Sequence, residues 1–231
     1  PSKEQIINQA FMFHSQGNIS EAEKYYQYFI DQGFKDHRVF SNYGVILKDL
    51  GKLKEAELSY RKAIEIKPEF AEVHSNLGII LKDLGKLKEA ELSYRKAIEM
   101  DPSFSNAYFN LFRYYEKINN LEKLKESLNE FNKIDSIKNE LLLFRARLSY
   151  RNKEYQTAKE LIDNISPDWI EKNNRSQNTL FWSYKAFIED KIGNFDFAYS
   201  YFEKIQYDSS YSKFNKDSYL NFINSYKESI I

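Results

Sequence analysis

The sequence predicts an all-α fold, an α-solenoid of about six helical hairpins followed by a C-terminal helix, and three observations carry that reading. Residues 48–66, KDLGKLKEAELSYRKAIEI, recur at 82–100 as KDLGKLKEAELSYRKAIEM, with one difference in nineteen positions and an offset of 34. Within each copy, apolar and small residues keep helical spacing on either side of a glycine, as in Tyr43, Leu47 and Leu50 before Gly51 and Leu53, Ala56, Tyr60 and Ala63 after it. That pattern is helix, turn, helix. The third observation is compositional: 7 Gly and 4 Pro in 231 residues leave too few turn formers for a β-rich chain, given averages of roughly 7% and 5%.

The best-defined hairpins are residues 37–70 and 71–104. The first carries Phe40, Tyr43, Gly44, Leu47, Ala56, Tyr60, Ala63 and Pro68, and the second carries His74, Leu77, Gly78, Leu81, Ala90, Tyr94, Ala97 and Pro102. Pro68 and Pro102 stop the second helix of each unit, because proline has no amide hydrogen to continue the ladder. A 34-residue hairpin with small residues at positions 8, 20 and 27 and Pro at 32 resembles the tetratricopeptide repeat. The resemblance implies a right-handed superhelix with the first helix of each hairpin on the concave side.

The same frame extends outward over one solenoid domain, 1–231. Residues 3–36 keep Ala10, Ala22 and Gly17, but Phe29 and Phe34 replace the small residue and the proline. Residues 105–138 depart most, with Phe112, Leu124 and Phe131 at the small positions and Ser136 for Pro, so helices standing further apart are expected there. Ala146 with Ala158 and Ala186 with Ala198 restore small pairs in units 139–178 and 179–212. The position-20 residues at 22, 56, 90, 124, 158 and 198 are 34 apart until the last step of 40. Six residues are therefore inserted, and SPDWIEKNNRSQN at 166–178 reads as a loop with Trp169 as its anchor. Tyr219, Phe222, Ile223, Tyr226 and Ile230 give one amphipathic helix over about 216–231, either a cap on the solenoid end or a link to a further domain.

No catalytic constellation is present in the sequence, so the chain reads as non-enzymatic, with no metal or cofactor. Its histidines, His14, His37 and His74, have no ligand partners at metal spacing, and His74 takes a packing position. There is no Gly-rich phosphate loop, and the acidic residues interleave with Lys as solvated helix faces do. Absence of Cys favours a reducing, cytoplasmic setting. No apolar run approaches the roughly 18 residues of a membrane span. The start PSKEQIINQAF has neither signal-peptide order nor Met, which implies a chain cut from something longer. With 34 basic and 34 acidic residues and no sustained basic stripe, nucleic-acid binding is the weakest candidate.

What remains is binding. Positions 2, 5, 6, 9, 12 and 13 of each unit would line the concave groove that the resemblance implies. Position 6 is Asn8, Asn42, Asn76 and Asn110 in the first four units, then Phe144 and Tyr184. An amide side chain both donates and accepts, so such a row suits the backbone of an extended peptide whatever its side chains. It resembles the asparagine ladder of the O-linked N-acetylglucosamine transferases; the plainer alternative is a row that only solvates the groove. Further along, Phe109, Arg113, Arg147, Tyr150 and Arg151 form a basic and aromatic lining suited to an acidic peptide, unless Glu116, Glu140 or Glu154 close it by pairing with the arginines. The carboxylate clamp of chaperone-binding repeats is absent, since Ser41, Val45, Ser75 and Ile79 occupy its positions.

A protein- or peptide-binding scaffold is thus the leading expectation. The alternative is an N-terminal substrate-selecting or assembly region of a larger enzyme. Units two and three are similar to repeat runs in marine cyanobacterial proteins, where such runs precede sulfotransferase, glycosyltransferase or oxygenase domains. Self-association through an uncovered solenoid end is a third expectation.

Overall fold

The computed structural model describes residues 1–172 and 175–207, in which all regular structure is helical. The chain divides into two compact units, residues 1–124 and 125–231. In the first, α1 (Lys3–Ser15) pairs with α2 (Ile19–Asp31), α3 (His37–Asp49) with α4 (Leu53–Ile66), and α5 (Ala71–Asp83) with α6 (Leu87–Met100). Helix α7 (Ser105–Lys117) follows, and the unit boundary falls inside α8 (Leu121–Glu130). The second unit continues through a 3-10 turn, Asp135–Ile137, into α9 (Lys138–Arg151), α10 (Tyr155–Asp163), α11 (Pro167–Lys172), α12 (Arg175–Lys191) and α13 (Phe195–Tyr207). The amphipathic segment expected at 216–231 lies outside the described residues. Among those described, no helix is long and apolar enough to cross a membrane.

One turn recurs throughout. Residues 17, 51, 85, 119, 153 and 193 all have left-handed backbone, with φ between 55° at Asn119 and 88° at Gly193. Each lets the next amide reach back to the end of the first helix: Lys52 N to Leu47 O at 2.8 Å, Lys86 N to Leu81 O at 2.8 Å, and Glu154 N to Ser149 O at 2.9 Å. These bonds satisfy carbonyls that the helix end would leave open. Glycine adopts this conformation freely; Asn119 and Lys153 do so at a cost.

Hairpin closure rests on a ring against a backbone. Tyr60 and Tyr94 are fully buried and lie over Gly44 and Gly78, so close that an added Cβ would come within 2.6 Å of Cε1 of either ring. Ala56, Ala63, Ala90 and Ala97 are equally buried and leave room for those rings. The small positions are therefore required by the tyrosine volume. The Tyr60 hydroxyl is buried without a hydrogen-bond partner among the described residues.

Successive hairpins are joined by a second set of contacts. His74 Nε2 donates to the Pro68 carbonyl at 2.7 Å, and one repeat later Tyr108 Oη donates to the Pro102 carbonyl at 3.1 Å. This accounts for a polar ring at the packing position His74, which the sequence predicts to be buried or half-exposed and which is 9% exposed. Charge pairs follow the same period. Lys52 Nζ lies 2.6 Å from Glu23, Lys86 Nζ 2.8 Å from Glu57, and Lys123 Nζ 2.8 Å from Glu91. Arg61 also bridges Glu57 and Glu89. In the third pair Asn120 stands where the lysine should be, and Lys123, nearly one turn further along α8, takes over. Burial pushes the Glu57 and Glu91 carboxyls up, but hydrogen bonds and charge from Lys86 and Arg61, and from Lys123, Tyr115 and Arg95, outweigh it and hold both below the usual carboxylate range.

In the second unit α9 packs on α10 and α12 on α13, with Ala146, Ala158, Ala186 and Ala198 all fully buried. The expected loop at 166–178 is corrected by the structure: it holds the helix α11, and α12 begins at 175. Ser166-Pro167-Asp168 is itself a helix start, with proline at the first position and an acid in the first turn. Trp169 Nε1 donates to Glu140 Oε1 at 3.0 Å, and the Ser166 amide donates to Asn139 Oδ1 at 3.0 Å, so the insertion is tied to α9.

Three outcomes follow. Lys153→Gly should raise the unfolding midpoint by an amount equivalent to about 1 kcal/mol, and Gly51→Ala should lower it comparably, in denaturant titrations of the full chain. Gly44→Ala, at a crossing with no room for a methyl group, should cost about 1–3 kcal/mol, whereas Tyr60→Phe should be neutral or stabilising because it removes an unsatisfied hydroxyl. Because the Glu57 and Glu91 carboxyls are depressed in the folded state, their stabilisation is complete above the ordinary carboxylate range and is lost as pH falls through their lowered folded values. A pH series of denaturant midpoints should show that acid-side loss, and Glu57→Gln should lower the neutral-pH midpoint and flatten the curve.

Candidate binding face on the first helices

In residues 1–124 the first helices of successive hairpins touch one another. The Arg38 guanidinium on α3 lies 5.9 Å from the Phe11 ring on α1 and 3.8 Å from Glu4. On α7, Asn110 Nδ2 donates to Ser75 Oγ of α5 at 3.0 Å, and Lys117 lies 3.8 Å from Asp83. A row at constant register along these helices is therefore a feature of one face.

The four asparagines of that row are not equivalent. Asn8 is exposed, while Asn42, Asn76 and Asn110 are half-buried. Asn110 spends one amide hydrogen on Ser75. Asn76 makes no side-chain hydrogen bond among the described residues. The flanking Ser41 and Ser75 are 6% and 2% exposed, so the surface beside the amides is narrow. The charged residues beyond them pair internally, Lys48 with Asp49 at 3.1 Å and Lys82 with Asp83 at 3.2 Å.

The basic and aromatic residues fall into two groups. Phe109 is 3% exposed and lies beneath the exposed Arg113, whose guanidinium is 5.8 Å from the ring. In the second unit Arg147 is 8% exposed, its guanidinium 5.0 Å from the Phe144 ring and 4.6 Å from the Tyr184 ring. Tyr150 is half-buried, edge-on to Tyr184 at 5.7 Å and in contact with Tyr155 and Phe187. Arg151 is exposed. Phe109 and Arg147 thus differ from the sequence expectation: they are packed inside, where aromatic faces hold the arginine by cation–π attraction. Arg113, Tyr150 and Arg151 keep accessible surface.

Sequence reasoning overlooked two exposed leucines on the second helices of the first unit. Leu58 and Leu92, at the same register of the duplicated segment, are 66% and 67% exposed. Leu92 borders a cleft of about 590 Å³ with Arg61, His74, Leu77, Arg95 and Glu99. The signal was available, since both leucines fall out of phase with the buried alanine and tyrosine positions of α4 and α6. Among the described residues, no group of three His, Asp or Glu side chains is placed to hold a metal ion.

The repeat geometry agrees with comparisons to known proteins. Residues 44–85 match a family described as TPR repeat, and residues 71–104 and 93–126 match families described as Tetratricopeptide repeat. No curated protein matches the sequence. Among solved structures, a tetratricopeptide repeat protein from Parabacteroides merdae is similar at TM-score 0.68 and 17% identity, over 91% of this chain and 81% of that one. Pseudomonas aeruginosa pilF is similar at TM-score 0.68 and 19% identity, over 96% and 97%. The Cut9–Hcn1 hetero-tetramer of the APC/C gives TM-score 0.67 and 16% identity, over 87% and 39%. At such identities these structures speak for the fold alone. With the duplicated 34-residue hairpin, its glycine–tyrosine crossings and three family matches, residues 44–126 of the chain are tetratricopeptide repeats.

Proposed function

We propose that this chain is a non-catalytic scaffold that binds an extended peptide along the first-helix face of residues 1–124. The observation that carries this reading is the amide row Asn42, Asn76 and Asn110, half-buried at one register with Asn76 uncommitted and Asn110 using only part of its capacity. An amide has two donor hydrogens and an acceptor oxygen, so one internal bond still leaves groups for a peptide backbone. Buried serines beside the row leave room for main chain, and recognition would then be tolerant of side-chain identity.

In the first unit, the exposed Arg113 above Phe109 suits an acidic residue of such a ligand; in the second unit, the exposed Arg151 suits an acidic peptide in its own right. Buried Phe109 supports Arg113 from below and need not touch the ligand. Binding would be strongest for peptides carrying Asp or Glu and would weaken with salt.

The test is equilibrium binding of the full chain to a pool of unstructured peptides. Asn42, Asn76 and Asn110 changed together to Ala should reduce affinity by about a hundredfold, at roughly 1 kcal/mol for each net hydrogen bond. Unchanged affinity would remove the amide row from the function. Arg113→Gln with Arg151→Gln should lower affinity selectively for acidic members of the pool and reduce the salt dependence.

A further inference from the structure

The exposed leucines of α4 and α6 occupy a position that the fold does not reserve for apolar residues. At the same register the other described hairpins carry Lys24, Glu126, Glu160 and Ser200. Leu58 and Leu92, at 66% and 67% exposed, add little to the packing of their own hairpins.

Each leucine is bracketed by lysines one helical turn away on either side. Lys54, Leu58 and Lys62 form one stripe on α4, Lys88, Leu92 and Lys96 form its repeat on α6, and all six are exposed. The stripes are neighbours, because Arg61 on α4 lies 2.6 Å from Glu89 on α6, and Lys86 at the start of α6 lies 2.8 Å from Glu57 on α4. Beside Leu92, the cleft of about 590 Å³ has the buried Leu77 and the half-buried Ile64 in its wall, so it has the room and lining for a large apolar side chain.

The charges select what can lie there. Glu89 is held by Arg61, Glu65 lies 2.7 Å from Lys62, and Glu99 lies 3.0 Å from Lys96. The last two pairs are open to solvent and are readily exchanged for a carboxylate from outside. Among the described residues Lys54 and Lys88 are in no ion pair. Glu55 is the repeat equivalent of Glu89, which points back to the preceding hairpin. A second copy of the chain does not suit this face. A two-fold axis along the helices would set Lys54 against the copy's Lys88, and one across them would set Lys54 against the copy's Lys62, so lysine meets lysine either way.

We propose that α4 and α6 form a docking face for an acidic amphipathic helix of another protein. A large apolar side chain of that helix enters the cleft, and carboxylates one turn to either side of it meet Lys54 and Lys88 at one end and Lys62 and Lys96 at the other. A helix repeats its side chains at the same four-residue step as the lysine–leucine–lysine stripes, which matches helix to groove. The face shares no residue with the amide row, so the two readings stand or fall separately.

The probe is a synthetic helical peptide in which each leucine has a glutamate four residues before and four residues after it, with a second peptide carrying lysine for glutamate. Fluorescence anisotropy of each labelled peptide is followed as the full chain is added. The glutamate peptide should bind, more weakly as salt is raised, and the lysine peptide should not. Leu58→Ala with Leu92→Ala should weaken binding by about thirtyfold while leaving the denaturant midpoint nearly unchanged. Lys54→Glu with Lys88→Glu should turn the preference toward the lysine peptide. Asn42, Asn76 and Asn110 changed together to Ala should leave this binding as it was, and a loss there would overturn the proposal by placing the peptide on the first-helix face. Equal binding of both peptides, no binding of the glutamate peptide, or a preference that survives the lysine reversal would overturn it as well. So would a dimer, seen by light scattering, that the double leucine variant dissociates, since the face would then belong to a second copy.

Discussion

The contact on which the best-formed hairpins depend is a tyrosine ring lying on a glycine backbone. Tyr60 over Gly44 and Tyr94 over Gly78 set how near the two helices of each hairpin stand, and no side chain fits between them. That spacing fixes where α3, α4, α5 and α6 present their other faces. The His74 and Tyr108 bonds to proline carbonyls, and the lysine–glutamate pairs, then join hairpins already held at the correct separation. Local chemistry and tertiary packing point to one answer, as a sequence that specifies a single fold requires.

The surface follows from the same geometry. Residues on the first helices recur at constant register because the hairpins are alike, so an asparagine placed once by the sequence becomes a row. Where the hairpins cease to be alike, the surface changes. In residues 105–138 Phe112 and Phe131 stand at small positions, and in the second unit Phe144 and Tyr184, at the register of the asparagines, enclose Arg147. Aromatic bulk that fills volume inside also removes charge from the outside.

Much of this was legible in the sequence because period and size are local properties. The 34-residue offset, the small positions, the turn after each first helix and the six-residue insertion all correspond to described elements. Even the left-handed residue of the last turn, Gly193, keeps the shift of 40 from Lys153. Side-chain depth was less legible. Phe109 and Arg147 stand at groove positions by register, yet their burial depends on neighbours whose sizes the register does not encode. The helix α11 escaped a reading that counted Asn and Ser between 166 and 178, although Ser166-Pro167-Asp168 marks a helix start. Lys123 replacing the absent lysine at 120 was equally hidden, since it needs the reach of a side chain in three dimensions.

The duplicated segment has a consequence for how such a chain changes length. The lysine of one copy meets the glutamate of the hairpin before it, Lys52 with Glu23 and Lys86 with Glu57, in the same arrangement. An unequal exchange between residues 48–66 and 82–100 would add or remove one hairpin while leaving a lysine facing a glutamate and a tyrosine facing a glycine at the new joint. The array is thus modular at the level of the gene, and the length of its first-helix face can be altered in steps of one hairpin without rebuilding the interfaces that hold it.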